Sequence, residues 1–174
     1  CSFSAIENAL SINVSAQTIL LRRMLLHGQI IKSHLMHLFF LALPDLANQK
    51  SSIKLSQKYP AEFHAMLNIK RAADKILNEV GGSPVFPSNT ILAGFRNPPK
   101  QDNLYAIRDL IYDIIDEAID LIKLFSGFNT PELVCDTQLT CLTPSNNFYP
   151  VYPGKFSQNL KEITTKNSTA KRAF

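Results

Sequence analysis

Apolar positions recur at helical spacing from residue 15 to residue 43, where AQTILLRRMLLHGQIIKSHLMHLFFLAL follows Ser15 without a proline. Ser15 suits an N-cap, and Pro44-Asp45 predicts the stop, because a proline disfavours a helical residue before it. Such a helix is a rod of roughly 43 Å at 1.5 Å per residue. Its first half is amphipathic. Its second half is apolar nearly all round, a pattern that belongs inside something larger than this chain supplies. A second helix is predicted over 60–80, started by Pro60 and stopped by Gly81-Gly82, with Phe63, Met66, Ala73, Leu77 and Val80 inward. A third is predicted over 101–125. There Leu104, Ile107, Ile111, Ile114, Ala118, Leu121 and Phe125 step 3-4-3-4-3-4, a seam for packing along another helix.

Between the second and third helices lies GGSPVFPSNTILAGFRNPPK, rich in proline and glycine. Val85, Phe86, Ile91, Leu92 and Phe95 within it call for burial, so it reads as a structured loop. From Thr130 onward the apolar runs are short and broken by proline, asparagine and glycine, which predicts one or two short strands with a turn at Pro153-Gly154. The expected fold class is therefore mainly α. A helical bundle segment over 1–128 is followed by a loop and short-strand region over 129–174 with a basic tail.

Composition narrows this only moderately. A chain of 174 residues with 45% apolar content is one domain, or one large piece of a bigger one, and is not disordered. The net charge of +4 places Lys161, Lys166, Lys171 and Arg172 in the last segment, with no basic helix face or aromatic-basic ladder, so nucleic acid is not an expected partner. The apolar run 38–43 is too short for the ~20 residues of a membrane span. Three cysteines, Cys1, Cys135 and Cys141, without a Cys-x-x-Cys, argue against a disulfide framework and fit a reducing compartment. The chain opens on Cys1 rather than Met, and we expect the natural N-terminus to lie upstream.

Candidate chemistry is sparse. There is no phosphate loop, nucleophile elbow or zinc spacing. His34 and His37, three apart within SHLMHLFF, leave three readings open: metal ligands, core histidines satisfied by other groups, or a family signature. Asp109, Asp113, Asp116, Glu117 and Asp120 lie mostly off the third helix's seam, and their like-charge i,i+4 pairs point to a solvated face.

The run LLRRMLLHGQIIKSHLMHLFFLALPDL resembles the long histidine helix of [NiFe]-hydrogenase large subunits, at Arg23, Gly28, Gln29, Ile31, Ser33, His34, His37, Pro44 and Asp45. GGSPVFPSNTILAGF resembles a later segment of that family at Gly81, Gly82, Pro87 and Gly94, with Phe86 in place of the usual histidine and Ala93 in place of a usual glycine. YPVYPGK and NSTAKRA resemble segments of the cytoplasmic members. The resemblance implies that Arg23, Gln29, Ser33, His34, His37, Pro44, Asp45, Gly81, Gly82, Pro87 and Gly94 are framework residues. It also implies that the two histidines lie buried around the metal centre without binding it.

The same family holds nickel and iron with four cysteine thiolates in two Cys-x-x-Cys pairs, and neither pair is present here. Cys1 as the last cysteine of the first pair would put the family's next histidine on Ala5. The favoured register instead matches Ala5, Glu7 and Ala9 and leaves Cys1 beyond the ligands. The resemblance thus implies an internal piece of a cytoplasmic hydrogenase large subunit that binds no cofactor alone. Its parent would carry the nickel–iron centre, and its partners would be the rest of the large subunit and an iron–sulfur small subunit. The alternative is a non-catalytic helical scaffold related to the quinone-site subunit of respiratory complex I.

Overall fold

The computed structural model describes residues 2–49, 51–129, 141–143 and 155–157. The chain divides into two compact units, Cys1–Leu121 and Ile122–Phe174. Its elements are α1 (Ser2–Ala9), α2 (Ala16–His37), a π-helical turn (Leu38–Ala42), α3 (Leu43–Leu46), α4 (Ser52–Lys58), α5 (Pro60–Gly81), β1 (Thr90–Ile91), β2 (Gly94–Phe95), α6 (Gln101–Asp113), α7 (Ile115–Ser126), β3 (Cys141–Thr143) and β4 (Lys155–Ser157). The fold class is mainly α, as the periodicity predicts. β1–β2 and β3–β4 are small antiparallel pairs. The turn expected at Pro153-Gly154 and the basic tail fall outside the described residues.

The first unit is organised by α2 lying along α5. Leu21 and Leu25 of α2 pack with Ile76, Leu77 and Val80 of α5 and with Ile107 of α6, and Met24, Phe95 and Leu104 close the edges. Gly28 lets the two helices come this near, since a Cβ there would stand 2.9 Å from Ile76 Cγ2. Farther along, Phe39, Leu43, Leu55 and Met66 are fully buried. The Phe39 ring meets the Phe63 ring edge-on at 5.2 Å between centroids.

Three elements depart from the sequence expectation. The long helix does not stop before Pro44. It widens over Leu38–Ala42 and runs on as α3, with the Leu43 N–H reaching back to the Leu38 carbonyl. A wider turn moves the carbonyl that a proline ring would strike, so Pro44 is accommodated at the start of α3. The chain then stops through left-handed Asn48, φ 52°, and a Gln49 N–H to Pro44 carbonyl bond of 2.8 Å. The third helix breaks at Ile114, whose N–H bonds the Ile111 carbonyl before α7 begins. The β-branched pair Ile114-Ile115 lowers helix propensity there. Finally, Val85 and Phe86 are not buried: they are 64% and 81% exposed, and Ile91 and Leu92 are exposed as well.

Candidate functional site

The residues singled out by their motif spacing split into two sets on α2. Ser15 caps the helix by accepting the Thr18 N–H at 3.2 Å. From there Thr18, Leu21, Leu25, Gly28 and Leu35 form the buried stripe, continued by Phe39, Leu43 and Pro44. Arg23, Gln29, Ser33, His34, His37 and Asp45 all face outward and are exposed. Apolar Leu20, Ile31, Met36 and Leu41 share that outer surface, Leu41 at 62% exposure. In this chain by itself both imidazoles, His34 and His37, are exposed. With its proton on Nδ1, His34 donates to the Ile30 carbonyl at 2.9 Å, which fixes the ring and leaves Nε2 pointing away from that bond.

One position before Arg23, the chain places a residue that motif spacing did not single out. Arg22 grips Glu7 with both guanidinium arms at 2.7 Å, and its Nη2 also donates to the Ile91 carbonyl at 3.0 Å. Glu7 Oε1 accepts the Ala93 N–H at 2.7 Å. The Arg22 hydrogen bonds, helped by Ala93 N–H and Arg22's charge against an opposing cost of burial, lower the Glu7 carboxyl to about 2. Ala93, at φ 59°, holds a left-handed conformation on the hairpin tip, and Thr18 Oγ1 approaches its carbonyl at 3.5 Å. A single carboxylate thereby ties α1, α2 and the β1–β2 hairpin together.

A second junction joins α2, α5 and the following loop. Lys32 Nζ bridges Asp74 Oδ1 at 2.7 Å and the Pro84 carbonyl at 2.8 Å, while Lys70 holds the other Asp74 oxygen at 2.5 Å. Burial opposes ionisation of Asp74, but hydrogen bonds from Lys32 and then Lys70 outweigh it and keep the carboxyl below its ordinary range. Gly82, φ 79°, ends α5 in the left-handed conformation that suits glycine. Gly81 is pinned between Pro87 and Leu25, where a Cβ would meet them at 2.8 and 2.9 Å. The buried Asn89, also missed in sequence, then clamps the loop. Its side chain donates to the Val80 carbonyl at 2.9 Å and the Asn97 carbonyl at 2.6 Å, and accepts the Asn97 N–H at 2.8 Å. Around Gly94, by contrast, a Cβ would meet nothing within 4 Å.

Among the described residues, no group of three or more His, Cys, Asp or Glu is placed to hold a metal ion. Cys1 and Cys135 lie outside the described residues, and only the backbone of Cys141 is described, in β3. The described side chains therefore do not fit a nickel–iron centre. Glu117, expected on a solvated face, accepts from Asn68 Nδ2 at 2.9 Å and so links α7 to α5.

No protein-family profile matches the chain. Curated relatives do. The sulfhydrogenase 2 alpha subunit of Pyrococcus furiosus is 31% identical over 126 residues, spanning 72% of this chain and 31% of that protein. The sulfhydrogenase 1 alpha subunit of the same organism is 23% identical over 167 residues, or 88% of this chain and 39% of that one. These matches support a hydrogenase large-subunit fragment. A hydrogenase fold agrees: the crystal structure of an NAD+-reducing [NiFe]-hydrogenase in its H2-reduced state superposes with a TM-score of 0.71 at 15% identity, over 83% of this chain and 35% of that one. The chain thus spans about a third of the length of the hydrogenase relatives it matches. With hydrogenases as the named relatives, the non-catalytic alternative is not favoured. Among the described residues, no helix is long and apolar enough to cross a membrane.

Proposed function

We propose that this chain forms part of the helical framework of a cytoplasmic [NiFe]-hydrogenase large subunit. The complete subunit oxidises H2 reversibly and passes the electrons to iron–sulfur clusters in a small subunit. The chain supplies helices and an outer surface; thiolates for nickel and iron come from elsewhere in the subunit. Arg23, Gln29, Ser33, His34, His37 and Asp45 face the rest of the assembly, while Pro44, Gly81, Gly82 and Pro87 shape the frame behind them and Gly94 sits in its hairpin.

The observation that carries this reading is the division of α2. Its inner stripe is filled by this chain's own core, yet its outer face mixes exposed apolar side chains with the polar residues of the histidine-helix motif. An isolated protein gains nothing from displaying Ile31, Met36 and Leu41, whereas a buried interface does. The test is to purify the tagged chain from its own host. We expect hydrogenase polypeptides and an iron–sulfur protein to accompany it, hydrogen-dependent dye reduction to follow the complex, and no stoichiometric nickel in the chain alone. Purification as a solitary protein, or one nickel per isolated chain with hydrogenase activity, overturns the reading.

A further inference from the structure

The buried stripe of α2 keeps a steady line. At about 100° per residue of α-helix, Leu21, Leu25, Gly28 and Leu35 all lie within about 40° of Phe39 around the helix axis. Continued as an ordinary α-helix, the same count would carry Leu43 to about 40° from Phe39 and Pro44 to about 140°, on the outer side. Both are buried instead, Leu43 at 0% exposure. The wide turn over Leu38–Ala42 is the reason. The Leu43 N–H bonds the carbonyl of Leu38, where an α-turn would use that of Phe39. One surplus residue in the turn sets everything after it back by about 100°. Leu43 and Pro44 then fall on either side of the Phe39 line, and the surplus goes outward at Phe40 and Leu41.

An aromatic contact from another helix falls on this turn. Phe63 of α5 meets the Phe39 ring edge-on at 5.2 Å and 82°, and it meets the next residue, Phe40, edge-on as well, at 6.4 Å and 85°. Successive residues of an α-helix do not share a face. A wider turn swings successive side chains less far apart, so that one ring can touch both. We infer that Phe63 is a positioning residue for the end of the histidine helix. By engaging Phe39 and Phe40 together it holds Leu38–Ala42 in the wide register, and so turns Pro44 into the core.

Pro44 by itself does not dictate this outcome. A proline inside a helix removes one N–H and strikes the carbonyl four residues back, here that of Phe40, and the common response is a kink or a break. A wide turn is one of several ways out, and a rare one. Pro44 tolerates the wide register, while the ring of Phe63 selects it. The consequence reaches the outer surface. Asp45 follows Pro44 and is exposed, so a ring on α5 sets where around the helix that carboxylate emerges.

The test reads the acceptor of the Leu43 N–H directly, by through-hydrogen-bond NMR couplings in the isotope-labelled full chain. In the parent chain the coupling should run to the Leu38 carbonyl. Phe63→Leu keeps an apolar side chain and loses the ring, and the coupling should move to the Phe39 carbonyl. Pro44→Ala restores an N–H and removes the proline ring, and the coupling should stay with Leu38. Phe40→Ala, at a position 42% exposed, removes the same contact from the other side and should also move the coupling to Phe39. It decides the matter if Phe63→Leu does not fold, which circular dichroism shows. A coupling to Leu38 that survives Phe63→Leu, or survives Phe40→Ala where Phe63→Leu is unfolded, overturns the inference. A coupling that moves to Phe39 in Pro44→Ala assigns the register to the proline and overturns it as well.

Discussion

Arg22 and Glu7 form a two-armed ion pair, both arms at 2.7 Å, across fifteen residues of chain, and the same carboxylate holds the Ala93 N–H at 2.7 Å. Neither side chain is well exposed, at 10% and 3%. The pair closes α1 and the hairpin onto α2, so its loss should loosen three segments at once. Glu7→Gln leaves a guanidinium with a weaker acceptor, and Arg22→Lys loses the fork. Each should cost about 1–3 kcal/mol, read by chemical denaturation.

The same pair sets an acid limb. Glu7's folded pKa, about 2, lies below its ordinary value of 4.5. A depressed carboxyl contributes stability that is present above its unfolded pKa and drains away as pH falls through 4.5 toward 2. Solvent screening and the opposing cost of burial discount the effect, so we expect about 1–2 kcal/mol rather than the full shift. Asp74, also lowered, adds in the same direction. Stability measured between neutral pH and pH 3 should fall less steeply in Glu7→Gln than in the parent chain. An identical slope in both would remove Glu7 from the acid response.

Gly28 and Ile76 should behave as one unit. A Cβ on residue 28 stands 2.9 Å from Ile76 Cγ2 and 3.3 Å from its Cβ, so Gly28→Ala overpacks the α2–α5 contact and should cost about 1–3 kcal/mol. Ile76→Ala removes the offending methyl. In that background Gly28→Ala should cost distinctly less, a coupling of about 0.5 kcal/mol or more in a double-mutant cycle. Simple additivity would show that the helices shift apart instead.

Ala93 occupies a left-handed position, φ 59°, directly before Gly94, around which a Cβ has open space. Left-handed geometry costs an ordinary residue about 1–2 kcal/mol, while glycine's extra unfolded-state freedom costs about 0.5–1 kcal/mol. Ala93→Gly should therefore raise thermal stability slightly, and Ala93→Val should lower it. A fall in Tm for Ala93→Gly would mean that the Ala93 methyl contributes packing which outweighs the strain.

These relationships show where sequence reading reaches and where it stops. Periodicity exposes α2 and α5, and the Pro60 start and Gly82 stop are local chemistry, visible at once. Likeness to a family located the histidine helix. The Arg22–Glu7 pair and the Asn89 clamp leave no periodic mark, because they join residues far apart in sequence or turn a side chain onto backbone carbonyls. Neither the widening at Leu38–Ala42 nor the break at Ile114 changes the apolar spacing enough to be read. Val85 and Phe86 illustrate the remaining gap. Apolar residues announce a wish for burial, but the sequence does not say whether this chain or another satisfies it.

His34 and His37 follow from that gap. Both are exposed on α2, and His34 has only a local bond, to Ile30. Replacing either with alanine should change the isolated chain's stability by less than about 0.5 kcal/mol. The same variants should weaken recovery of the hydrogenase partners proposed above, because imidazoles that assembly buries must find hydrogen-bond partners there. A large stability loss in the isolated chain would place them in its own core, contrary to their exposure.

Exposed apolar side chains also set the behaviour of the chain alone. Leu20, Ile31, Met36, Phe40 and Leu41 line the α2 region, and Val85 and Phe86 project from a loop held by Ser83, whose Oγ accepts both of their N–H groups at 3.3 Å. A fixed apolar tip gives up little entropy on docking. Covering several hundred Å² of such surface is worth many kcal/mol at about 25 cal/mol per Å² before the costs of association. The isolated chain should therefore self-associate as its concentration rises, seen as increasing mass in sedimentation or light scattering. Leu41→Lys together with Phe86→Ser should suppress that association, because neither residue contributes to the α2–α5 core. A cooperatively unfolding monomer at high micromolar concentration would mean that these side chains are tolerated in water and that α2 needs no further cover.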